Sequence, residues 1–215
     1  MPMAWGKPAL TNSPEDEFHP RWSPDGKKII FTRLIKPGIH DIFVMNADGS
    51  EVMNLTNTPD IHEAYPDFSP DGRQIVFTSG GGGRPHGIYI MDADGTNVRL
   101  LMAGPLHFPR WSPDGKYIAF DGEPAGCKFE IYIMKADGTE MRQVTEHPKG
   151  CGGDNKAPVW SPDGKQLAYY STDRFGAGGF DIFVINVDGT GERALTHGVT
   201  DLNAGGRDPD WSRAP

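Results

Sequence analysis

One repeated motif decides most of what this chain can become. Pro20-Arg21-Trp22-Ser23-Pro24-Asp25-Gly26 returns as Pro66-Asp67-Phe68-Ser69-Pro70-Asp71-Gly72, and again over 109–115 and 158–164. A fifth copy starts at Pro209-Asp210-Trp211-Ser212. A second motif, DIFVMNADG at 41–49, returns at 87–95, 130–138 and 181–189. The aligned aromatic residues Trp22, Phe68, Trp111, Trp160 and Trp211 lie 46, 43, 49 and 51 residues apart. Repeats of about 40 to 50 residues with several apolar runs each are the signature of propeller blades.

Each unit reads as four strands, A to D. Strand A is short and ends at Trp-Ser or Phe-Ser. Strand B holds Ile29-Ile30-Phe31, Ile75-Val76-Phe77, Ile118-Ala119-Phe120 and Leu167-Ala168-Tyr169. Strand C is Ile42 to Asn46 and its equivalents. Strand D ends at Leu55-Thr56, Leu101-Met102, Val144-Thr145 and Leu195-Thr196. B and C are continuous apolar runs, so both of their faces are buried. Stacked blades do this, whereas a sandwich leaves one face wet. The 28 glycines and 19 prolines fit a chain of many tight turns.

The expected fold is therefore all-β: a β-propeller of four-stranded antiparallel blades with four full repeats, about 18–56, 64–102, 107–145 and 156–196. Extra end strands are expected at 9–11 and 209–212, and the whole of 1–215 is one domain. Four blades make either a closed monomer or an arc completed by homo-oligomerisation.

The A–B turn (Ser-Pro-Asp-Gly) and the C–D turn (such as Asn46-Ala47-Asp48-Gly49) keep constant spacing. All length variation falls in the B–C and D–A loops. Strand direction alternates within a blade, so those loops share one face. Variable loops on a rigid frame are where binding concentrates. Lys36, Arg84, His86, Arg174, Phe175 and Phe180 are the candidate ligand-binding residues there. The ligand is expected to be a protein, a peptide or a small molecule. The aspartates of the turns need no role beyond bonding their own hairpins.

Just before strand A, Glu17, His19, His62, Glu63, His107 and Asp154 fall in one short segment of each repeat. The fold would bring them to one channel mouth, where carboxylates and imidazoles suit a divalent cation. Cys127 and Cys151 sit in two long, glycine-rich loops of the same face. A disulfide between them would close a loop of about two dozen residues. No nucleophile elbow, His-Glu-x-x-His or phosphate-binding loop is present. The formal charge of −8 argues against nucleic acid as a partner. No run approaches the about 20 apolar residues of a membrane span. Met1 to Pro8 lacks the charged and apolar regions of a secretory signal.

The two spaced motifs, followed by Leu-Thr, resemble the WD40-like PD40 repeat of TolB-type β-propellers. The resemblance runs from about Ala9 to Ser212. It implies a propeller fold and a periplasmic or secreted location. It implies function less closely, because the repeat serves unrelated proteins. Some relatives of this fold are metal-dependent polysaccharide lyases that use channel histidines. The matching candidates here are His19, His62 and His107. A non-catalytic binding module is the favoured reading. A metal-dependent lyase or hydrolase, and a structural segment that self-assembles, are the alternatives.

Overall fold

A computed structural model describes residues 9–123, 128–147, 153–172 and 179–197. Four sheets of four antiparallel strands make a four-bladed β-propeller, each sheet running A-B-C-D in chain order. Blade 1 is β1 (Glu17–Trp22), β2 (Lys28–Lys36), β3 (Ile39–Asn46) and β4 (Met53–Asn54). Blade 2 is β5 (His62–Phe68), β6 (Gln74–Gly81), β7 (Arg84–Asp92) and β8 (Arg99–Ala103). Blade 3 is β9 (Leu106–Trp111), β10 (Tyr117–Gly122), β11 (Glu130–Lys135) and β12 (Arg142–Gln143). Blade 4 is β13 (Asn155–Trp160), β14 (Gln166–Thr172), β15 (Phe180–Asn186) and β16 (Arg193–Ala194). Among the described residues no helix is long and apolar enough to cross a membrane.

The Ser-Pro-Asp-Gly turn is self-contained. Ser23 Oγ donates to Asp25 Oδ1 at 2.7 Å, and the same oxygen accepts the Lys27 N–H at 3.1 Å. Ser23 Oγ in turn accepts the Lys28 N–H at 2.9 Å. The other three turns repeat this pattern. The Leu-Thr signature also has a mechanism. Leu55 N–H donates to Ile42 O, and Thr56 Oγ1 accepts the Ile42 N–H. Thr145 and Thr196 serve Ile131 and Ile182 in the same way. A side chain thus replaces a ladder bond, which is why strand D stops at two residues in three blades. Blade 2 has Met102 at that position, and there the backbone ladder continues to Ala103.

The core lies between blades. Ile30, Ile42 and Val44 of blade 1 pack on Phe68, Ile75, Phe77, Tyr89 and Met91 of blade 2. The blade 2–3 and 3–4 interfaces repeat the arrangement. Two small contacts fix the spacing. Gly95, Gly138 and Gly189 lie against the carbonyls of Leu55, Leu101 and Val144 of the preceding blade. A Cβ there would stand 2.7, 2.9 and 3.2 Å from those oxygens. Gly72, Gly115 and Gly164 would each meet the turn proline of the preceding blade at 3.7–3.8 Å.

Blade 1 has a different leading face. Trp22 is 59% exposed, whereas Phe68, Trp111 and Trp160 are each 8% exposed. Among the described residues nothing stands within 4 Å of a Cβ built on Gly26. Ala9 to Thr11 do not form the expected strand. Leu10 nevertheless places its carbonyl against Gly49, the contact that Leu55 makes with Gly95. The expected end strand at 209–212 lies outside the described residues.

Candidate functional site

Strand A is longer than its sequence suggests, and it is interrupted. Its register with strand B shifts between Phe18 and Arg21, and at the same point of every other blade. At each shift a residue before proline takes left-handed backbone: His19 (φ 54), Tyr65 (φ 58), Phe108 (φ 51) and Ala157 (φ 52). Such backbone is unusual for a bulky residue, and bulges re-aim side chains. Here the result is a cluster of tilted rings drawn from three blades. His19 and Tyr65 have centroids 4.4 Å apart, and Tyr65 and Phe108 4.0 Å. His107 stands edge-on to Tyr65 at 6.3 Å and packs on Phe129 at 5.4 Å. Lys156 Nζ lies 4.0 Å from the Phe129 centroid.

The candidate cation ligands mostly have partners. Glu17 accepts two bonds from Arg33, at 2.6 and 2.9 Å, and one from Thr11. Glu63 pairs with Arg84 at 2.8 Å and Thr58 at 2.9 Å. Asp154 pairs with Lys156 at 2.9 Å and accepts the Phe129 N–H. His62 shares a hydrogen bond with His40, Nδ1 to Nδ1, at 3.0 Å. His19 belongs to the ring cluster. Among the described residues no three His, Cys, Asp or Glu side chains are grouped to hold a metal ion.

The candidate ligand-face residues are likewise engaged. Lys36 bridges to Asp60 at 2.9 Å, and Arg84 also donates to Ser79 Oγ at 3.0 Å. The His86 ring lies directly over Gly80, where a Cβ would clash with it. Phe180 meets Tyr170 edge-on at 5.7 Å. Gly82 and Gly83, both with positive φ, form a two-residue hairpin turn rather than a loose loop. Arg174, Phe175, Cys127 and Cys151 lie outside the described residues.

Burial governs the titrating groups. It raises the Glu63 carboxyl despite the nearby threonines and Arg84, and it raises Asp67 despite Arg110 and Arg21. Burial lowers the His40 and His62 imidazoles, and takes His107 down to about 4 with help from Lys156. Asp121 is buried and pushed up to about 8, even though its Oδ1 accepts the Ala157 N–H at 2.9 Å. His107 Nδ1 stands 4.0 Å from Asp121 Oδ2.

Tyr65, Phe108, Asp121 and Phe129 escape a reading based on ligand types. The signal for the first two was available: an aromatic residue precedes the strand A proline in three of four repeats, and alanine in the fourth. The opposite face also holds concavities. A cavity of about 400 Å³ lies at the blade 3–4 seam, lined by Pro113, Tyr117, Ile133, Arg142, Trp160 and Val187. Another of about 730 Å³ lies at the blade 1–2 seam, lined by Pro24, Lys28, Val44, Met53 and Phe68. The two use equivalent repeat positions, so they arise from blade packing itself.

The family model for the PD40, TolB β-propeller domain matches residues 5–147 and 102–206. The chain belongs to this family. TolB from Acinetobacter baumannii is 23% identical, with a TM-score of 0.73 over 87% of this chain and 45% of that one. A putative TolB from Agrobacterium tumefaciens is 20% identical, with a TM-score of 0.65 over 87% and 83%. An oligogalacturonate lyase in complex with manganese is 19% identical, with a TM-score of 0.64 over 87% and 55%. At these identities the PD40 chain shares a fold with them. It spans less than half the length of the Acinetobacter protein. No curated protein matches it.

Proposed function

We propose that this PD40 propeller is a non-catalytic binding module that holds a protein or peptide on its B–C face, at the axial mouth. The ring cluster His19–Tyr65–Phe108 carries the reading. Each of its residues sits in left-handed backbone, which costs about 1 kcal/mol or more per residue. Core packing does not call for these rings, since the blades seal through strands B and C. Half-buried aromatic side chains are the usual anchors of interfaces. The pairs Lys36–Asp60, Arg84–Glu63 and His40–His62 support it by tying the B–C hairpins of blades 1 and 2 to strand A of blade 2 or the residues just before it. A pre-ordered surface loses less entropy on binding.

The test is capture from the native source with three baits: the chain itself, Tyr65→Ala/Phe108→Ala, and Tyr117→Ala on the turn face. Hydrogen exchange of the captured complex then maps the contact. A partner that is lost with the ring variant and kept with Tyr117→Ala is expected. Protection confined to the Ser-Pro-Asp-Gly turns and their seams would refute the reading.

A further inference from the structure

The residue just before the strand C motif is His40 in blade 1, His86 in blade 2, Phe129 in blade 3 and Phe180 in blade 4. A ring fills the place every time, so packing alone does not ask for ring nitrogens. In blade 1 that ring meets His62, the first residue of β5, with Nδ1 facing Nδ1 at 3.0 Å. Rings joined by a straight N–H···N bond of that length would have centroids about 5.3 Å apart. The observed centroids are 4.8 Å apart, with the planes at 84°. The contact is therefore bent. A metal ion about 2.0–2.1 Å from each nitrogen would see the two at roughly 94° and hold the centroids about 4.7 Å apart. The pair is thus a poor hydrogen bond and a good chelate.

We propose that His40 and His62 chelate a divalent transition-metal ion of the zinc class through their Nδ1 atoms, with His86 as the third ligand. The ion clips the B–C hairpin of blade 1 to strand A of blade 2. Imidazole suits zinc, copper and nickel, whereas calcium and magnesium take oxygen ligands. Burial lowers both imidazoles, so each presents the neutral form that a metal needs. Asp41 stands beside His40, and His86 beside His62. Phe18 packs edge-on to the His40 ring at 6.0 Å and helps to fix its plane. A Cβ on Gly80 would fall 2.1 Å from His86 Nδ1, and Gly80 pairs directly across from His62. The His86 nitrogen is thus about one cross-strand spacing, about 4.5–5.5 Å, from the His62 Cβ. Its side chain is exposed and makes no hydrogen bond or ion pair, so the ring is free to swing into place. A tetrahedral angle asks for only about 0.3 Å more between the first two nitrogens. His40 and His62 are half-buried, so the ion has an open route from solvent. Of the cation ligands expected from the sequence, only His62 takes part; Glu17, Glu63 and Asp154 are held by Arg33, Arg84 and Lys156.

The full chain is stripped with a chelator and titrated with zinc by calorimetry. One ion per chain with a micromolar or tighter Kd is expected, with no binding of calcium or magnesium. His40→Phe places in blade 1 the ring that blades 3 and 4 carry, and should weaken zinc at least a hundredfold. His62→Gln should do the same, and His86→Phe should weaken zinc about tenfold. His197→Gln, outside the site, should change nothing. Zinc should raise the Tm of the parent and leave that of His40→Phe unmoved; the same melts establish that the variants are folded. Long-range proton–nitrogen NMR of the histidine rings reads the ligating atom, and Nδ1 of His40 and His62 should shift while Nε2 keeps its proton. The proposal is overturned if zinc at about 0.1 mM does not saturate the chain, if any of the three site substitutions leaves the affinity unchanged, or if ligation runs through Nε2.

Discussion

Replacing Asp121 with asparagine should stabilise this protein, and increasingly so as pH rises. In the folded chain the carboxyl is pushed from an ordinary 3.8 to about 8, because burial outweighs its bond from Ala157. The folded state therefore holds a proton that the unfolded state gives up. A group with a raised folded pKa contributes fully below the unfolded value, and that contribution is lost as pH climbs through the folded one. At about 1.4 kcal/mol per pH unit, the loss reaches roughly 4 kcal/mol at pH 7 and levels off at about 5 to 6 kcal/mol above pH 8. Asparagine has the same shape, keeps an oxygen for the Ala157 N–H and cannot ionise. His107, lowered to about 4, contributes with the opposite sign as pH falls. His107 lies 4.0 Å from Asp121 and its titration shifts with the substitution, but at about 4 it falls below the pH range compared. Melting curves from pH 4.5 to 8.5 should show near-equal Tm at the acid end. At pH 7 Asp121→Asn should melt higher by on the order of 10 °C, at 2–4 °C per kcal/mol for a chain of this size. A constant difference, or a less stable variant at pH 8, would mean that His107, Lys156 and Arg110 hold Asp121 ionised.

Three other outcomes are expected. Trp160→Ala should cost about 3 to 5 kcal/mol in urea unfolding, and Trp22→Ala less than about 1 kcal/mol, because the first is 8% exposed and the second 59%; equal costs would contradict the blade 1 geometry. Gly95→Ala should cost clearly more than Gly26→Ala, since both have positive φ but only the first would drive a Cβ to 2.7 Å from a carbonyl oxygen. That difference too is read from urea midpoints, and parity would refute it. Burial lowers both His40 and His62, so their contribution is present above pH 6.5 and is lost as pH falls below it. The double variant His40→Phe/His62→Phe should thus lose less Tm between pH 7.5 and 5 than the parent, and an identical acid response would count against the pair.

The blades were legible because their signals are local. Ser-Pro-Asp-Gly encodes its own hydrogen bonds, and the unbroken apolar runs announce burial on both faces. Leu-Thr marked the end of strand D, although its threonine acts through a side chain that shortens the ladder. The candidate site was legible only as a place. Position within the repeat pointed to the residues around strand A, but Glu17, Glu63 and Asp154 turned out to be neutralised by Arg33, Arg84 and Lys156. Arg33 and Arg84 lie on other strands, where no spacing rule foretells them, whereas Lys156 stands only two residues from Asp154, ahead of the bulge. Asp121 looked like one more strand B residue. Its burial depends on blade 4 arriving over it, which only the assembled fold supplies.

The bulge before each strand A proline has one more consequence. A propeller leaves the inner edge of every blade open, and an open edge is a template for another chain. Pro20, Pro66, Pro109 and Pro158 sit in the middle of those edges and carry no N–H to donate. The left-handed residue beside each one breaks the ladder at the same point. At the outer rim, three of the four edge strands are only two residues long. A sequence with strands this apolar would ordinarily invite fibrous growth from its rims. Here the bulged inner edges and three of the four outer edges offer an incoming strand few consecutive hydrogen bonds, and the five-residue β8 of blade 2 is the longest outer edge among the described residues.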